Sequence, residues 1–501
     1  MTKTPPERPG IQADPPVDRL KTKAVRGGFI KIWTQAASFT LRTGSLMVLA
    51  RLLEPRDFGL VAMVTAVTGI FDIFKTAGLS IVTIQRDEIS ADQVSTLFWV
   101  NIGVGAALSA LTFALAPVLA AFYHEPRLVW IASALAFGFL VNAAGVQHDA
   151  LLQRRMRFGT LAVIDLVCLT VSAAAGIVLA LLGYGYWSLV GMSLALPVVN
   201  TIGVWTATRW VPGRPRRGIG LRSMLKFGGT VTVDSLVTYI GYNAEKVLLG
   251  RFWGSEALGI YGRAYQIVNL PTRNLNSAIG GVAYSALSRL QTDPPRFKVY
   301  FLKGYSLVLA MTVPITLGCS LLADDLIRVV LGPKWTSAIV LLRLLAPTIL
   351  AFALIDPFSW LLVAMGRVMR SLKIGLVIAP LVIGAYFVGL PYGPKGVAIG
   401  YSAMMVVLIV PVIAWCRRDT IISGRDIWRA ARPPVVSGLV AAAATFLTLT
   451  ALAGRLTSLP RLLLAGGVMV GSYLAMLLFA MKQKRLYLDL IGEILRRPSR
   501  F

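Results

Sequence analysis

Long apolar stretches separated by short polar or Gly/Pro-rich connections recur along nearly the whole chain. A helix needs about 20 apolar residues to cross roughly 30 Å of hydrocarbon. The pattern therefore predicts an all-α polytopic membrane protein with about fourteen transmembrane helices. The predicted helices cover residues 29–53, 58–84, 94–122, 128–147, 161–182, 187–208, 225–251, 263–287, 299–323, 339–365, 372–390, 396–416, 434–453 and 462–481.

The connections differ in their basic residues according to the side of the membrane on which they would lie. Loops on one side hold 33 of the 50 Lys and Arg residues, and loops on the other side hold ten. By the positive-inside rule the basic side is cytoplasmic, so we expect both termini there. Residues 1–28 are polar and proline-rich without the apolar core of a signal peptide, which predicts a disordered cytoplasmic tail.

Composition narrows the function class. A hydrophobic fraction of 56% and a mean hydropathy of +0.70 exceed those of a soluble domain. The net charge of +27 is spread in short clusters between apolar runs and forms no single basic face, so we expect no nucleic-acid partner. Three cysteines within or at the end of apolar runs and only two histidines indicate neither a disulfide framework nor a metal site.

A short motif occurs twice. ARLLEPRDFGL (50–60) aligns with GRFWGSEALGI (250–260) at a constant offset of 200, and each copy follows the first helix of a predicted half. This predicts two pseudo-symmetric six-helix lobes around a central cavity, plus two C-terminal helices. The predicted parts are the tail 1–28, an N-lobe 29–208 (helices 1–6), a linker 209–224, a C-lobe 225–416 (helices 7–12), a linker 417–433, helices 13–14 at 434–481 and a cytoplasmic tail 482–501.

Polar residues recur at helical spacing within the first two predicted helices of each half. Because charge at bilayer depth is costly, such residues face protein or a water-filled cavity, and we expect these to line the cavity between the lobes. The predicted polar lining is Gln35, Ser38, Thr238, Tyr242, Tyr265, Asn269 and Asn276. The charged residues near mid-depth are Arg42, Asp72, Lys75, Asp234 and Arg273, with Glu245 and Lys246 nearer the outer end.

Two interpretations of these charges stay open. Three cations against two anions at mid-depth leave positive charge for an anionic ligand such as a pyrophosphate. Alternatively, pairs such as Asp72 and Lys75 neutralise each other and hold helices together without touching a substrate. Pro271, beside Arg273, is the best candidate for a hinge, because proline removes a backbone donor and can kink a helix.

No set of catalytic residues emerges from the motifs. Two other functions remain open at this point. A multidrug antiporter on the same fold would favour carboxylates and aromatic rings over arginine in its cavity. A membrane polysaccharide polymerase or glycosyltransferase would need a large outer loop or an acidic motif, and the nearest outer acidic pair, Asp324 and Asp325, lies in a short connection.

Several sequence blocks, in order, are similar to a known family. They include LLEPRDFGLVAM (52–63), STLFWVN (95–101), EKVLLGRFWGSEALGIYGRAYQIVNLP (245–271) and LGPKWTSAIVLLRLLAP (331–347). They resemble the oligosaccharide-repeat flippases of the polysaccharide transport family, in particular its colanic-acid exporter (WzxC-like) branch. This family belongs to the multidrug/oligosaccharidyl-lipid/polysaccharide exporter superfamily.

The resemblance implies alternating access that carries an undecaprenyl-pyrophosphate-linked oligosaccharide from the cytoplasmic to the periplasmic leaflet of the bacterial inner membrane. The product would serve exopolysaccharide or lipopolysaccharide synthesis, and the partners would be membrane lipids and a polymerase and chain-length regulator of the same pathway. It implies no bound cofactor, with coupling to an H⁺ or Na⁺ gradient through Asp72 or Asp234. The residues expected to grip the pyrophosphate are Arg42, Lys75, Lys246 and Arg273.

Overall fold

A computed structural model of the chain describes residues 17–75, 83–84, 89–215, 239–241, 243–484 and 487. Side chains are described in these ranges except at 17–33, 73–75, 271–278, 282 and 285. Every regular element in this part of the chain is helical. The predicted all-α class is therefore confirmed.

Sixteen α-helices follow one another over the described residues. They are α1 (Val17–Leu52), α2 (Pro55–Lys75), α3 (Ala91–Tyr123), α4 (Arg127–Arg154), α5 (Phe158–Leu181), α6 (Trp187–Thr208), α7 (Ala244–Arg289), α8 (Pro294–Leu321), α9 (Ala323–Val330), α10 (Ser337–Leu345), α11 (Pro347–Ile355), α12 (Pro357–Ala364), α13 (Val368–Gly389), α14 (Gly393–Arg417), α15 (Gly424–Ala451) and α16 (Ser458–Ala475). Short 3₁₀ turns lie at Pro333–Trp335 and Leu390–Tyr392, and a π-helical turn lies at Met476–Ala480.

The outer surface of these helices is apolar. Nine helical segments of the described part are long and apolar enough to cross a bilayer, judged by length and composition. Large apolar side chains point outward along them, and Leu181 and Leu463 are each 67% exposed. Lipid solvates such a surface, whereas water would not. The chain is a multi-pass membrane protein, and the number of fourteen spans stays a prediction.

The first helix begins earlier than the sequence pattern indicated. The sequence predicts a disordered tail over residues 17–28, but α1 starts at Val17, so the prediction is wrong for this part of the tail. The segment from Val17 to Leu52 contains no proline, and its Lys, Arg, Leu and Ala residues are good helix formers. A search for apolar spans misses a helix whose first turns are polar.

Helix α15 also begins before its apolar part. Residues 424–433 were placed in a linker, yet they are helical, so the predicted boundary at 434 is wrong. A capping box starts the helix: the Ser423 hydroxyl accepts from the Asp426 amide at 3.3 Å, and the Asp426 carboxylate accepts from the Ser423 amide at 2.8 Å. These two bonds satisfy amides that would otherwise be left without partners at a helix end.

Proline residues divide the predicted tenth span. The single helix expected at 339–365 is three consecutive helices, because Pro347 and Pro357 each begin a new one. Proline has no amide to donate to the preceding turn, and its fixed φ suits the first position of a helix.

The first compact unit ends at Gly259 and contains α1–α6 together with the first residues of α7. Within it α3 packs on α4, α4 on α6, α5 on α6 and α1 on α5. The end of this bundle is closed by a fully buried His148, whose ring stacks on Trp205 at 4.3 Å between centroids. The His148 Nε2 atom also hydrogen-bonds the Trp210 carbonyl oxygen at 3.1 Å, which ties residues after α6 to α4.

The second unit begins at Ile260. Within it α8 packs on α11 and α15, α13 packs on α14, and α15 packs on α16. Charged groups join the helix ends: the Arg461 guanidinium of α16 lies 2.6 Å from the buried Asp325 carboxylate of α9. Between α14 and α15, a hydrogen bond from Arg370 at 2.8 Å lowers the pKa of the Asp419 carboxyl. The lobe boundaries at 208 and 225 and the central cavity stay predictions.

The two copies of the sequence repeat cross each other inside the first unit. Pro55 begins α2, and at the matching place Gly254 (φ 81°) interrupts α7, so that a new helical stretch begins at Ser255. The backbone at Gly59 lies against the Ser255 carbonyl, and the backbone at Gly259 lies against the Pro55 carbonyl. Gly59 corresponds to Gly259 and Pro55 to Ser255 at the offset of 200, so the two contacts are equivalent. The sequence repeat is therefore also a structural repeat. The predicted starts at 58 and 263 were both late.

Alanine at either crossing glycine is expected to destabilise the protein. An added Cβ at Gly59 or Gly259 would overlap a backbone oxygen, which cannot move aside as a flexible side chain can. Overpacking of this kind costs about 1–3 kcal/mol, so Gly59→Ala and Gly259→Ala should each lower the melting temperature of the protein in detergent. The melting temperature is measured by heating samples and quantifying the remaining monodisperse protein by size-exclusion chromatography.

Gly262→Ala is the matched control, since no neighbouring atom lies within 4 Å of its added Cβ. We expect this variant to melt at the temperature of the unsubstituted protein or slightly above it, because alanine favours a helix more than glycine does. A Gly259→Ala variant that is equally stable would mean that the two helical stretches do not cross as described.

Candidate functional site

The predicted site is described in part. Side chains are described for Arg42, Gln35, Ser38, Asp72, Lys246, Tyr265 and Asn269. Lys75, Pro271, Arg273 and Asn276 are placed by their helical backbone alone, in α2 and α7. Asp234, Thr238 and Tyr242 lie outside the described residues.

The polar stripe of α1 lies at the surface of the first unit. Arg42 and Gln35 are exposed, and Ser38 between them is half-buried. The Arg42 side chain lies within electrostatic range of Asp165 on α5, the helix against which α1 packs. The structure therefore adds a carboxylate neighbour, and a guanidinium with five donors can serve it and a further anion.

A tyrosine joins the polar stripe of α2 to the predicted seventh helix. The Tyr239 hydroxyl donates to the carbonyl oxygens of Thr65 at 3.1 Å and Ala66 at 3.0 Å. It can approach because Gly69 has no side chain there. Asp72, one turn farther along α2, is exposed and lies within electrostatic range of this tyrosine. The structure thus brings the polar faces of the second and seventh predicted helices together.

Lys246, at the start of α7, is held by its own turn. Its ammonium donates to the Asn243 side-chain oxygen at 2.6 Å, and the Asn243 amide donates to the Tyr239 carbonyl at 2.9 Å. The side chain is half-buried. An ammonium has three donors, and this contact uses one of them.

Glu245 is the residue that sequence reasoning undervalued. Its side chain is 0% exposed, and among the described residues neither carboxylate oxygen has a hydrogen-bond partner. Lys246 is the charged group that acts most strongly on it, and Tyr239 lies within electrostatic range. Burying an ionised carboxylate without hydrogen bonds is costly, so this position favours the neutral acid or a bound cation. The signal in the sequence was its position one turn beyond Gly241 on the polar stripe.

Tyr265 lies in a different environment in the second unit. It is buried, and its ring stacks on Tyr261 with centroids 6.0 Å apart. Tyr401 lies 6.1 Å away on α14, next to Tyr386 at 5.4 Å. Tyr265 therefore belongs to a packed cluster of four tyrosines, and its role in lining a cavity stays a prediction.

The outer acidic pair is occupied by arginines. Asp325 is 2% exposed and receives bonds from the Arg461 guanidinium at 2.6–2.9 Å. Asp324 lies 3.1 Å from both Arg461 and Arg328. Carboxylates that clamp two helices together are poorly placed to act as the acid and base of a glycosyl transfer. The contacts therefore weigh against the enzyme alternative.

Comparison with known proteins assigns the family. The model of a family described as "Polysaccharide biosynthesis protein" matches residues 48–340, which is more than half of the 501 residues. The chain belongs to this family. The resemblance carried by the sequence blocks is confirmed, since this polysaccharide biosynthesis protein is 27% identical over 419 residues to the lipopolysaccharide biosynthesis protein WzxC of Escherichia coli strain K12. That alignment covers 81% of the chain and 84% of the relative.

Comparison with solved structures shows which fold this chain adopts. The lipid II flippase MurJ, in an inward closed conformation, superposes with a TM-score of 0.73 at 13% identity and covers 93% of this chain and 100% of its own. An inward-facing MATE multidrug resistance transporter superposes with a TM-score of 0.62 at 15% identity, covering 79% and 96%. At these identities the similarity shows the fold, which is one found in transporters.

Removing the Tyr239 hydroxyl is expected to loosen the contact between α2 and the start of α7. Tyr239→Phe loses the one hydroxyl proton that the two backbone carbonyls share, a hydrogen bond worth about 1 kcal/mol. The melting temperature in detergent should fall, whereas Tyr284→Phe, at an exposed position of α7, should leave it unchanged. Equal melting of both variants would show that the Tyr239 hydroxyl does not join these segments.

Proposed function

We propose that this protein is a flippase that carries an undecaprenyl-pyrophosphate-linked polysaccharide repeat unit from the cytoplasmic to the periplasmic leaflet of the bacterial inner membrane. The observation that carries the proposal is the combination of family and fold. The family is described as taking part in polysaccharide biosynthesis, and the fold is shared by a lipid II flippase and a multidrug transporter. A transporter in such a pathway has one evident task, which is to move the lipid-linked intermediate.

The headgroup is the part of this substrate that a protein can recognise by charge. A pyrophosphate carries negative charge and many acceptor oxygens, which guanidinium and ammonium groups bind by charge-assisted hydrogen bonds. The groups assigned to it are Arg42, Lys75, Lys246 and Arg273. Of these, Arg42 lies within electrostatic range of Asp165, and Lys246 donates to the Asn243 side-chain oxygen.

The orientation predicted for the chain gives the side of the membrane on which the substrate would load. The loops with 33 of the 50 basic residues would face the cytoplasm together with both termini. The intermediate would load from that side, and a polymerase with its chain-length regulator would consume it on the other. Alternating access requires a helix that can bend, and Pro271 within α7 is our candidate hinge.

The multidrug antiporter is the competing function, because the same fold serves it. A cavity for cationic drugs would need carboxylates in excess, while the assigned site carries four cations against the candidate acids Asp72 and Asp234. The family also weighs against it, since its description is polysaccharide biosynthesis.

Loss of the headgroup cations should abolish export. A deletion strain is expected to accumulate lipid-linked repeat units in the cytoplasmic leaflet and to lose surface polysaccharide. A hydrogen bond to a charged group is worth about 1.5–3 kcal/mol, so Arg42→Ala and Arg273→Ala should restore export at least tenfold less well than the unsubstituted gene.

Arg155→Ala, an exposed arginine between α4 and α5, is the matched control and should restore export fully. Membrane insertion of every variant is checked by its amount in the membrane fraction. Full export by both Arg42→Ala and Arg273→Ala would remove the headgroup role assigned to them. Dye resistance that survives both substitutions would favour the antiporter.

Coupling to an H⁺ or Na⁺ gradient would drive transport uphill. Asp72 and Asp234 are the acids singled out from the sequence, and Glu245 joins them because its carboxyl is buried without a partner among the described residues. Glutamine keeps the shape of Glu245 but cannot exchange an ion. The assay uses proteoliposomes with a fluorescent lipid-linked substrate. An inward or outward pH step should raise the transport rate of the unsubstituted protein and leave the transport rate of Glu245→Gln unchanged.

Asp72→Asn and Asp234→Asn are tested in the same assay with H⁺ and Na⁺ gradients. The acid whose amide variant loses stimulation is the coupling residue. If Glu245→Gln responds to the gradient like the unsubstituted protein, Glu245 is a structural carboxylic acid and not a coupling site.

A further inference from the structure

The N-terminal end of α15, on the side that the basic loops predict to be cytoplasmic, has a basic face. Arg425, Trp428, Arg429 and Arg432 are all exposed. Their spacing of three, one and three residues puts them on one side of the first two turns of the helix. The opposite side is buried and consists of Ile427, Ala431 and Pro434. We call the four exposed residues the α15 basic face.

The α15 basic face continues into a lipid-facing stripe. Leu439 and Phe446 follow Arg425 and Arg432 at intervals of seven residues, which keeps them on the same side of the helix. Leu439, Phe446 and Leu447 are large apolar side chains with more than half of their surface exposed. Arg432 and Leu439 lie about 10 Å apart along the axis at 1.5 Å per residue. If the apolar stripe lies in the hydrocarbon, the arginines lie at the depth of the lipid headgroups.

The acid beside these arginines is turned away from them. Asp426 closes the capping box with Ser423 and lies 2.6 Å from the Lys298 ammonium of α8. Among the described residues none of Arg425, Arg429 and Arg432 forms an ion pair. The three guanidinium groups thus lie on one side of the helix and form no ion pair with any carboxylate of the described part of the chain. Trp428, with its apolar ring and polar N–H, is a side chain that prefers this boundary.

We propose that the α15 basic face binds the headgroup of an anionic phospholipid, with the acyl chains lying along Leu439, Phe446 and Leu447. The phosphate oxygens accept from the arginines, and the absence of a choline or ethanolamine cation in the headgroup makes the anionic lipid the preferred one. This site is separate from the transported substrate and does not depend on the proposed function. The simpler account is that these arginines set only the orientation of α15 during insertion.

The test measures lipid binding to the purified full-length protein in detergent by native mass spectrometry, during titration with phosphatidylglycerol or phosphatidylcholine. The variant carries Arg425→Gln, Arg429→Gln and Arg432→Gln. Each basic residue near an anionic headgroup contributes about fivefold in affinity, so phosphatidylglycerol should bind on the order of a hundredfold more weakly to the triple variant. Binding of phosphatidylcholine should change little.

Two controls separate a site from general charge and from topology. Arg155→Gln, Arg209→Gln and Arg289→Gln remove the same charge from exposed positions elsewhere and should leave phosphatidylglycerol binding intact. Arg→Lys at all three positions of the α15 basic face keeps the charge that directs insertion and should keep the preference for phosphatidylglycerol. If the glutamine triple variant does not purify as a monodisperse protein, Arg429→Gln alone should weaken binding about fivefold.

Equal binding of phosphatidylglycerol to the α15 triple variant and the unsubstituted protein would overturn the proposal. Equal losses in the α15 triple and in the control triple would also overturn it, because the effect would then be one of net charge. Neither outcome bears on the flippase assay, which measures a different ligand.

Discussion

The high cost of an unsatisfied polar group in hydrocarbon is the constraint on which this structure depends. It makes every described element a helix, because a helix satisfies its backbone from within. It also explains why charged side chains lie near opposite charges, as Arg42 does with Asp165 and Arg461 with Asp325. Against this background Glu245 stands apart, since its carboxyl is fully buried without a hydrogen bond among the described residues. A position of that kind costs stability and points to function.

The crossing of the repeated segments and the polar contacts belong to one arrangement. Backbone contacts at Gly59 and Gly259 join α2 to α7, and the Tyr239 hydroxyl bonds to α2 farther along. Glu245 and Lys246 lie between these two contacts. Small residues at a helix crossing bring backbones close enough to hold neighbouring polar groups in a defined place. The sequence repeat therefore has a physical role in positioning the charged residues that the proposed function uses.

Family and fold contribute different parts of the functional argument. The family match concerns polysaccharide biosynthesis and says nothing of how a step is carried out. The fold is shared with a flippase and with a multidrug transporter, so it does not by itself choose a substrate. The contacts of Asp324 and Asp325 remove the nearest acidic pair from consideration as catalytic groups. A transporter of polysaccharide intermediates satisfies all three observations.

The sequence by itself determined the membrane class, the helical fold, the family and the offset of 200 between the repeats, because hydrophobic period and local motifs are properties of neighbouring residues. It misplaced the starts of α1 and α15, since their first turns are polar and their helicity comes from propensity and a capping box. Only the tertiary structure decided that Asp165 lies within electrostatic range of Arg42 and that the Tyr239 hydroxyl donates to backbone carbonyls of α2. It alone also decided that Tyr265 packs among tyrosines and that Glu245 is buried. The burial of a side chain and its hydrogen-bond or charge partners depend on which helices pack together. Contacts between residues far apart in the chain cannot be read from a single sequence.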